Sequence, residues 1–133
     1  MMDVYTLINN LIEGTINTFV GHYPTNQTDE NGQEVPKVYP YAEINFPNIL
    51  PNNTYSDKNL LTIDIWDNKD TDIREIEALS VAIHKIINRT QYNDVDMNVS
   101  INRDVPYKLD ITDPGPYLQR RQLRYLATVY YKN

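Results

Sequence analysis

Residues 59–88, NLLTIDIWDNKDTDIREIEALSVAIHKIIN, constrain the fold more than any other stretch of this chain, because they encode a strand, a turn and a helix in succession. Leu61, Ile63 and Ile65 alternate with Thr62, Asp64 and Trp66, the period-two pattern of a half-buried strand. Residues 67–71 break the pattern with turn formers. Asp72 then stands three positions before Glu75, the spacing of a capping box, in which the two side chains accept backbone N–H groups that the first helical turn leaves unpaired. Behind it Ile73, Ile76, Leu79, Ile83, Ile86 and Ile87 recur at three- and four-residue steps, which makes one helical face apolar. A strand and a helix patterned this way bury their greasy sides on each other. The segment reads as scaffold, with no group in it arranged for chemistry.

The same reasoning extends outward. Val4, Leu7, Ile8, Leu11, Ile12, Ile16, Phe19 and Val20 trace one stripe of a long first helix, with Asp3 as its N-cap and Gly21 as its stop. Gly14 inside it costs about 1 kcal/mol relative to alanine. Residues 22–37 are almost devoid of apolar groups and read as a long mobile loop, ordered on assembly. Residues 38–46 read as a strand with Ala42, Ile44 and Phe46 on one face, and Pro40 requires that it lie at an edge or start late. Residues 47–58, rich in proline and asparagine, read as a second loop. Val95, Met97, Val99 and Ile101 define a strand with one wet face, which Tyr107, Leu109 and Ile111 either continue or pair with. Residues 113–116, Asp-Pro-Gly-Pro, form a strong turn before a final strand over 119–131. The order predicts a single α+β domain over 1–133, with a mostly antiparallel β-sheet and two amphipathic helices packed on one face.

Composition removes several functions. The chain has 133 residues, no cysteine and a formal net charge of -6. Neither a disulfide framework nor a thiolate metal site is possible, and an acidic chain is a poor sequence-specific nucleic-acid binder, since such binding draws on neutralising phosphates. The first residues show no basic stretch followed by an apolar run, so no secretory signal is expected, and no window approaches a membrane span of roughly 20 apolar residues. Asp57, Asp64, Asp67, Asp70 and Asp72 are the densest titratable cluster, but they lack the alternate spacing, the central glycine and the distal glutamate of a calcium loop. His84 flanks the helix's apolar face without the second histidine of a zinc helix, and His22 sits in the polar loop. Ser56, Ser80 and Ser100 lack a nucleophile-elbow context, and the four glycines form no phosphate cradle. No catalytic, cofactor-binding or metal-ligating residue is assigned, and no cofactor is expected.

What remains points to contact between chains. Two helices cover one side of a sheet, yet Leu60 and Trp66 oppose the Leu61 set, while Leu126 and Tyr130 oppose Leu123, Tyr125, Ala127, Val129 and Tyr131. A monomer rarely leaves a contiguous apolar patch larger than a few hundred Å² in water, so a partial barrel or neighbouring subunits must cover these groups, and subunits are the expectation here. Eleven tyrosines against two phenylalanines suit wet interfaces, and they equally suit strands. Arg120, Arg121 and Arg124 are the one basic concentration, suited to bidentate pairing with carboxylates of a neighbour, or else an ordinary solvated strand start. The expected subunit interface therefore comprises Leu60, Trp66, Arg120, Arg121, Arg124, Leu126 and Tyr130.

Taken together, the amphipathic first helix, the strand LLTIDIWDNK, the capped helix over 72–88 and the closing LQRRQLRYLATVYY resemble the tail terminator, or tail completion, proteins of long-tailed bacteriophages and prophages. The likeness spans nearly the whole chain in order and length and rests on patterns, not on a catalytic fingerprint; loops 23–37 and 47–58 have no match in it. It implies a structural, non-enzymatic virion protein at the head-proximal end of the tail, made in the host cytoplasm. Such a protein forms a ring, commonly a hexamer, that caps the tail tube, stops its polymerisation and joins tail to head. The implied partners are further copies of the chain, the tail tube protein and a head-tail connector protein. DNA passes through the lumen, and an acidic chain suits that passage. The alternatives are a head completion or neck protein of the connector, and a small enzyme or ligand-binding domain using the acidic cluster. The last is disfavoured by the missing constellations.

Overall fold

A computed structural model describes residues 4–24, 28–53, 56–68, 73–111 and 118–132. The element order is α1 (Val4–Ile12), β1 (Asn17–Val20), β2 (Tyr41–Asn53), β3 (Ser56–Asp67), α2 (Arg74–Ile87), β4 (Gln91–Asn93), β5 (Met97–Ile111) and β6 (Gln119–Tyr131). The strands form one curled six-stranded sheet in the order β1-β2-β3-β6-β5-β4. Every pairing is antiparallel except β1 with β2, which is parallel, so the α+β class holds and the sheet is mixed.

The core lies between one sheet face and the two helices. Ile8 and Ile12 of α1 and Ile76, Ile83 and Ile87 of α2 meet Ile44, Ile63, Ile65, Ile101, Leu123 and Tyr125 of the sheet, all with no exposed surface. The alternation read from the sequence survives in the register: Ile63 lies between Ile44 on β2 and Leu123 on β6, and Ile101 and Val99 face Ala127 and Val129. Strand β6 covers the expected span, and β5 runs on through Tyr107, Leu109 and Ile111 after a register shift between Arg103 and Lys108.

Four expectations are corrected. The first helix stops at Ile12, where the N–H groups of Thr15 and Ile16 close a turn on the Ile12 carbonyl beside Gly14, and residues 17–20 leave as the edge strand β1. Asn-Thr-Phe-Val carries two β-branched residues and an aromatic, so β pairing outcompetes two more helical turns once the glycine weakens the ladder. Gly21, at φ +88°, ends that strand and not a helix. Residues 47–53 and 56–58 are not loop: they belong to β2 and β3, which pair antiparallel with register shifts between Asn45 and Asn48 and between Pro51 and Asn53, and it is at these irregularities that a strand tolerates proline. Strand β2 starts late, at Tyr41, which is one of the two outcomes that Pro40 allows, and it is internal to the sheet. Finally, Val95 is 87% exposed at the tip of a turn, not on the strand: the Asp94 carboxylate accepts the N–H groups of Asp96 and Met97 there. The strand β4 that precedes this turn has no apolar pattern of its own. The capping role assigned to Asp72 and the turn at 113–116 lie outside the described residues, as does Asp3. Residues 28–37 carry a small turn tied by the Asp29 carboxylate to the N–H groups of Asn31 and Gln33.

Candidate interaction surface

The sheet face away from the helices has two unlike ends. At one end Leu60 faces Leu126 across the β3–β6 register and Ser56 faces Tyr130. Leu60 and Leu126 are half-buried, and Tyr130 is 43% exposed. These are the apolar groups that the two helices cannot reach, and the chain itself does not hide them. Burying a leucine side chain from this state is worth on the order of 1–2 kcal/mol, so each is a usable contact for a neighbour.

At the other end the same face folds its polar groups against aromatic rings. Trp66 lies parallel to Tyr41 (centroids 6.2 Å apart, 12° between planes). The guanidinium of Arg120 sits 4.9 Å from the Trp66 ring centre. The indole N–H donates to Glu43 Oε1 at 3.0 Å, and the Tyr23 backbone N–H donates to Glu43 Oε2 at 2.7 Å. Arg120 and the Gln122 amide both donate to Asp64 Oδ1 at 3.1 Å. Burial pushes the Asp64 carboxyl above its ordinary range, and the nearby Glu43 adds to this; Arg120 opposes the shift without overcoming it. A cavity of about 270 Å³ opens beside this group, lined among others by Tyr39, Tyr41, Glu43 and Trp66.

The three arginines separate. Arg120 is on the helix-free face over Trp66. Arg124, on the same face, pairs with Asp104 at 3.3 Å. Arg121 points to the opposite face, only 8% exposed, where it donates to Glu77 at 2.8 Å and meets Asp110 at 2.7 Å. Lys108 completes that network, and its ammonium and Arg121 together hold the Glu77 carboxyl below its ordinary range. Arg121 thus staples α2 to β5 and β6 and does not share a surface with Leu60, Trp66, Arg120, Arg124, Leu126 and Tyr130, which the sheet does bring onto one side.

The residues weighed as chemical candidates are dispersed. Asp64 and Asp67 project to opposite faces of β3, and among the described residues no three histidine, aspartate or glutamate side chains come together around a common point. His84 stacks on Tyr107 (4.3 Å, 26°), and its Nδ1 lies 2.8 Å from the Tyr125 hydroxyl. Burial, aided by Arg103, lowers its pKa. His22 is open to solvent with Nδ1 3.4 Å from Glu43. The sequence reading missed Tyr23 and Glu43. Tyr23 is buried inside what reads as an almost wholly polar loop, where the available signal was an aromatic interrupting that polarity.

No family model matches this chain, and no curated protein matches it. Among solved structures, the chain is similar to one in the virion of native gene transfer agent (GTA) particle, with a TM-score of 0.66 at 11% sequence identity, over 96% of this chain and 86% of that chain. At that identity the likeness is one of fold, and it covers the helices and the mixed sheet together.

Proposed function

We propose that this chain is a structural virion protein that closes into a ring on the tail tube, ends tube polymerisation and joins tail to head. The observation that carries the reading is the helix-free sheet face, where Leu60, Leu126 and Tyr130 remain accessible in the single chain. The likeness in fold to a virion chain of a gene transfer agent supports the same reading. A heterologous contact whose rotation closes generates a ring, and a face with an apolar end and Arg120 and Arg124 farther along it has the composition such contacts use. The chain works by occupying the end of a tube and offering a second, non-propagating face, so no bond is made or broken. The charge of -6 keeps a lumen from retaining DNA.

The test is a polymerisation assay. Tail tube protein is assembled with and without this chain, and tube lengths are measured by negative-stain microscopy. Arrest of growth with a toroid at one tube end is the expected result. Unaltered growth with binding to connector protein instead would reassign the chain to the neck, and a stable monomer that turns over a small substrate would end the structural reading.

A further inference from the structure

Glu43 and Asp64 stand directly opposite each other in the β2–β3 register, each less than a tenth exposed. Like charges facing across an antiparallel pair destabilise it, and burial raises that cost. Arg120 compensates one of them. A second cation, Lys37, does not complete the pair; its ammonium lies 5.6 and 5.8 Å from the ring centres of Tyr23 and Tyr41 instead. His22 reaches Glu43 only from solvent, with its side chain 85% exposed. Electron-rich rings, a buried carboxylate and a cavity of about 270 Å³ are the elements of a cage for a cationic side chain.

We propose that this cavity receives a lysine or arginine side chain from a basic partner protein, and that Lys37 occupies its aromatic wall until that side chain arrives. The occupant is a basic protein because Glu43 and Asp64, both buried, share one arginine between them, and a chain of net charge -6 attracts a cationic partner. Lys37 can leave: residues 31–38 are exposed, and besides the Lys37 ring contacts a hydrogen bond from the Val38 N–H to the Tyr23 hydroxyl, 3.0 Å, ties them to the cage. The inference does not require the ring, since it concerns one protomer and one side chain, although Trp66 and Arg120 lie on the sheet face proposed for ring contact.

Trp66 is the only tryptophan in the chain, so at a fixed protein concentration its fluorescence and its indole N–H resonance report on the cage. The probe is the capped peptide Gly-Arg-Gly-Arg-Gly, with Gly-Glu-Gly-Glu-Gly as control. The arginine peptide is expected to give a saturable change in the intact chain. Removing the internal competitor with Lys37→Ala tightens binding roughly three- to tenfold, and Glu43→Gln weakens it by about tenfold. Lys37 is exposed, so that variant decides the matter even if Glu43→Gln fails to fold by circular dichroism. No saturable change in either the intact chain or Lys37→Ala would overturn the proposal. So would an equal response to the glutamate peptide, or an arginine-peptide response that disappears as protein concentration rises, which would mean that a second copy fills the cage.

Discussion

The two faces of the sheet predict opposite outcomes for two substitutions, Ile83→Ala and Leu126→Asp. Ile83 is fully buried between α2 and the sheet. Truncation to alanine removes three carbons, about 2.4 kcal/mol at about 0.8 kcal/mol each, and the cavity that remains raises the loss to about 3.5 kcal/mol. Unfolding entropy of about 0.28 kcal/mol per kelvin for a chain of 133 residues converts this to a fall in Tm of about 12 °C. Leu126 is half-buried on the helix-free face, where a carboxylate can reach water, so aspartate there costs about 1 kcal/mol, or about 4 °C. In an assembly assay the order inverts. Ile83→Ala, held below its Tm, still enters particles, whereas Leu126→Asp yields a folded protomer that does not, because an unpaired charge is buried at the contact. Differential scanning calorimetry and sedimentation of assembled particles read the two quantities. Equal destabilisation by both substitutions would refute the reasoning, since Leu126 would then belong to the core.

Two further predictions concern stability. Arg89 follows α2 with φ 65°, a left-handed position that side chains resist; Arg89→Gly is expected to stabilise the chain by about 1 kcal/mol, read as a rise in the urea midpoint. His84 has a pKa below its ordinary 6.5 because burial, then Arg103, disfavours the imidazolium. The folded state therefore resists protonation: the stability His84 contributes is complete above pH 6.5 and declines as pH falls through the lower folded value. Urea midpoints measured downward from pH 7.5 will show this loss, and His84→Gln will flatten it, well above the range where the Glu77 carboxylate protonates.

Strongly periodic segments were legible from sequence because one local pattern decided them. The Leu61-Ile63-Ile65 and Leu123–Val129 alternations and the isoleucine stripe of α2 point inward as read. Residues 16–20 were not legible. Ile16, Phe19 and Val20 fit a helical stripe, and they fit a strand as well; the choice was made by a parallel partner, Tyr41–Ile44, some twenty positions away. Segment 47–58 failed for a related reason: proline and asparagine signal turns locally, while the paired strands β2 and β3 absorb them at bulges. On the helix-free face, Leu60, Trp66, Leu126 and Tyr130 were found by strand parity alone. Parity also separates Arg121 from Arg120 and Arg124, because adjacent residues on a strand project oppositely. The aromatic cage could not be found that way. Tyr23, Tyr41 and Trp66 come from a loop and two paired strands, and only their non-local register brings them together.

The absence of cysteine allows the most direct test of whether neighbours cover the helix-free face. Single-cysteine variants Leu126→Cys and Lys85→Cys are labelled with a maleimide, first as free protomers and then within purified particles, and modification is quantified by mass spectrometry. The account predicts that Cys at 126 reacts in the free protomer and is protected in the particle, while Cys at 85, on the exposed side of α2, reacts in both. Equal labelling at 126 in both states would contradict it.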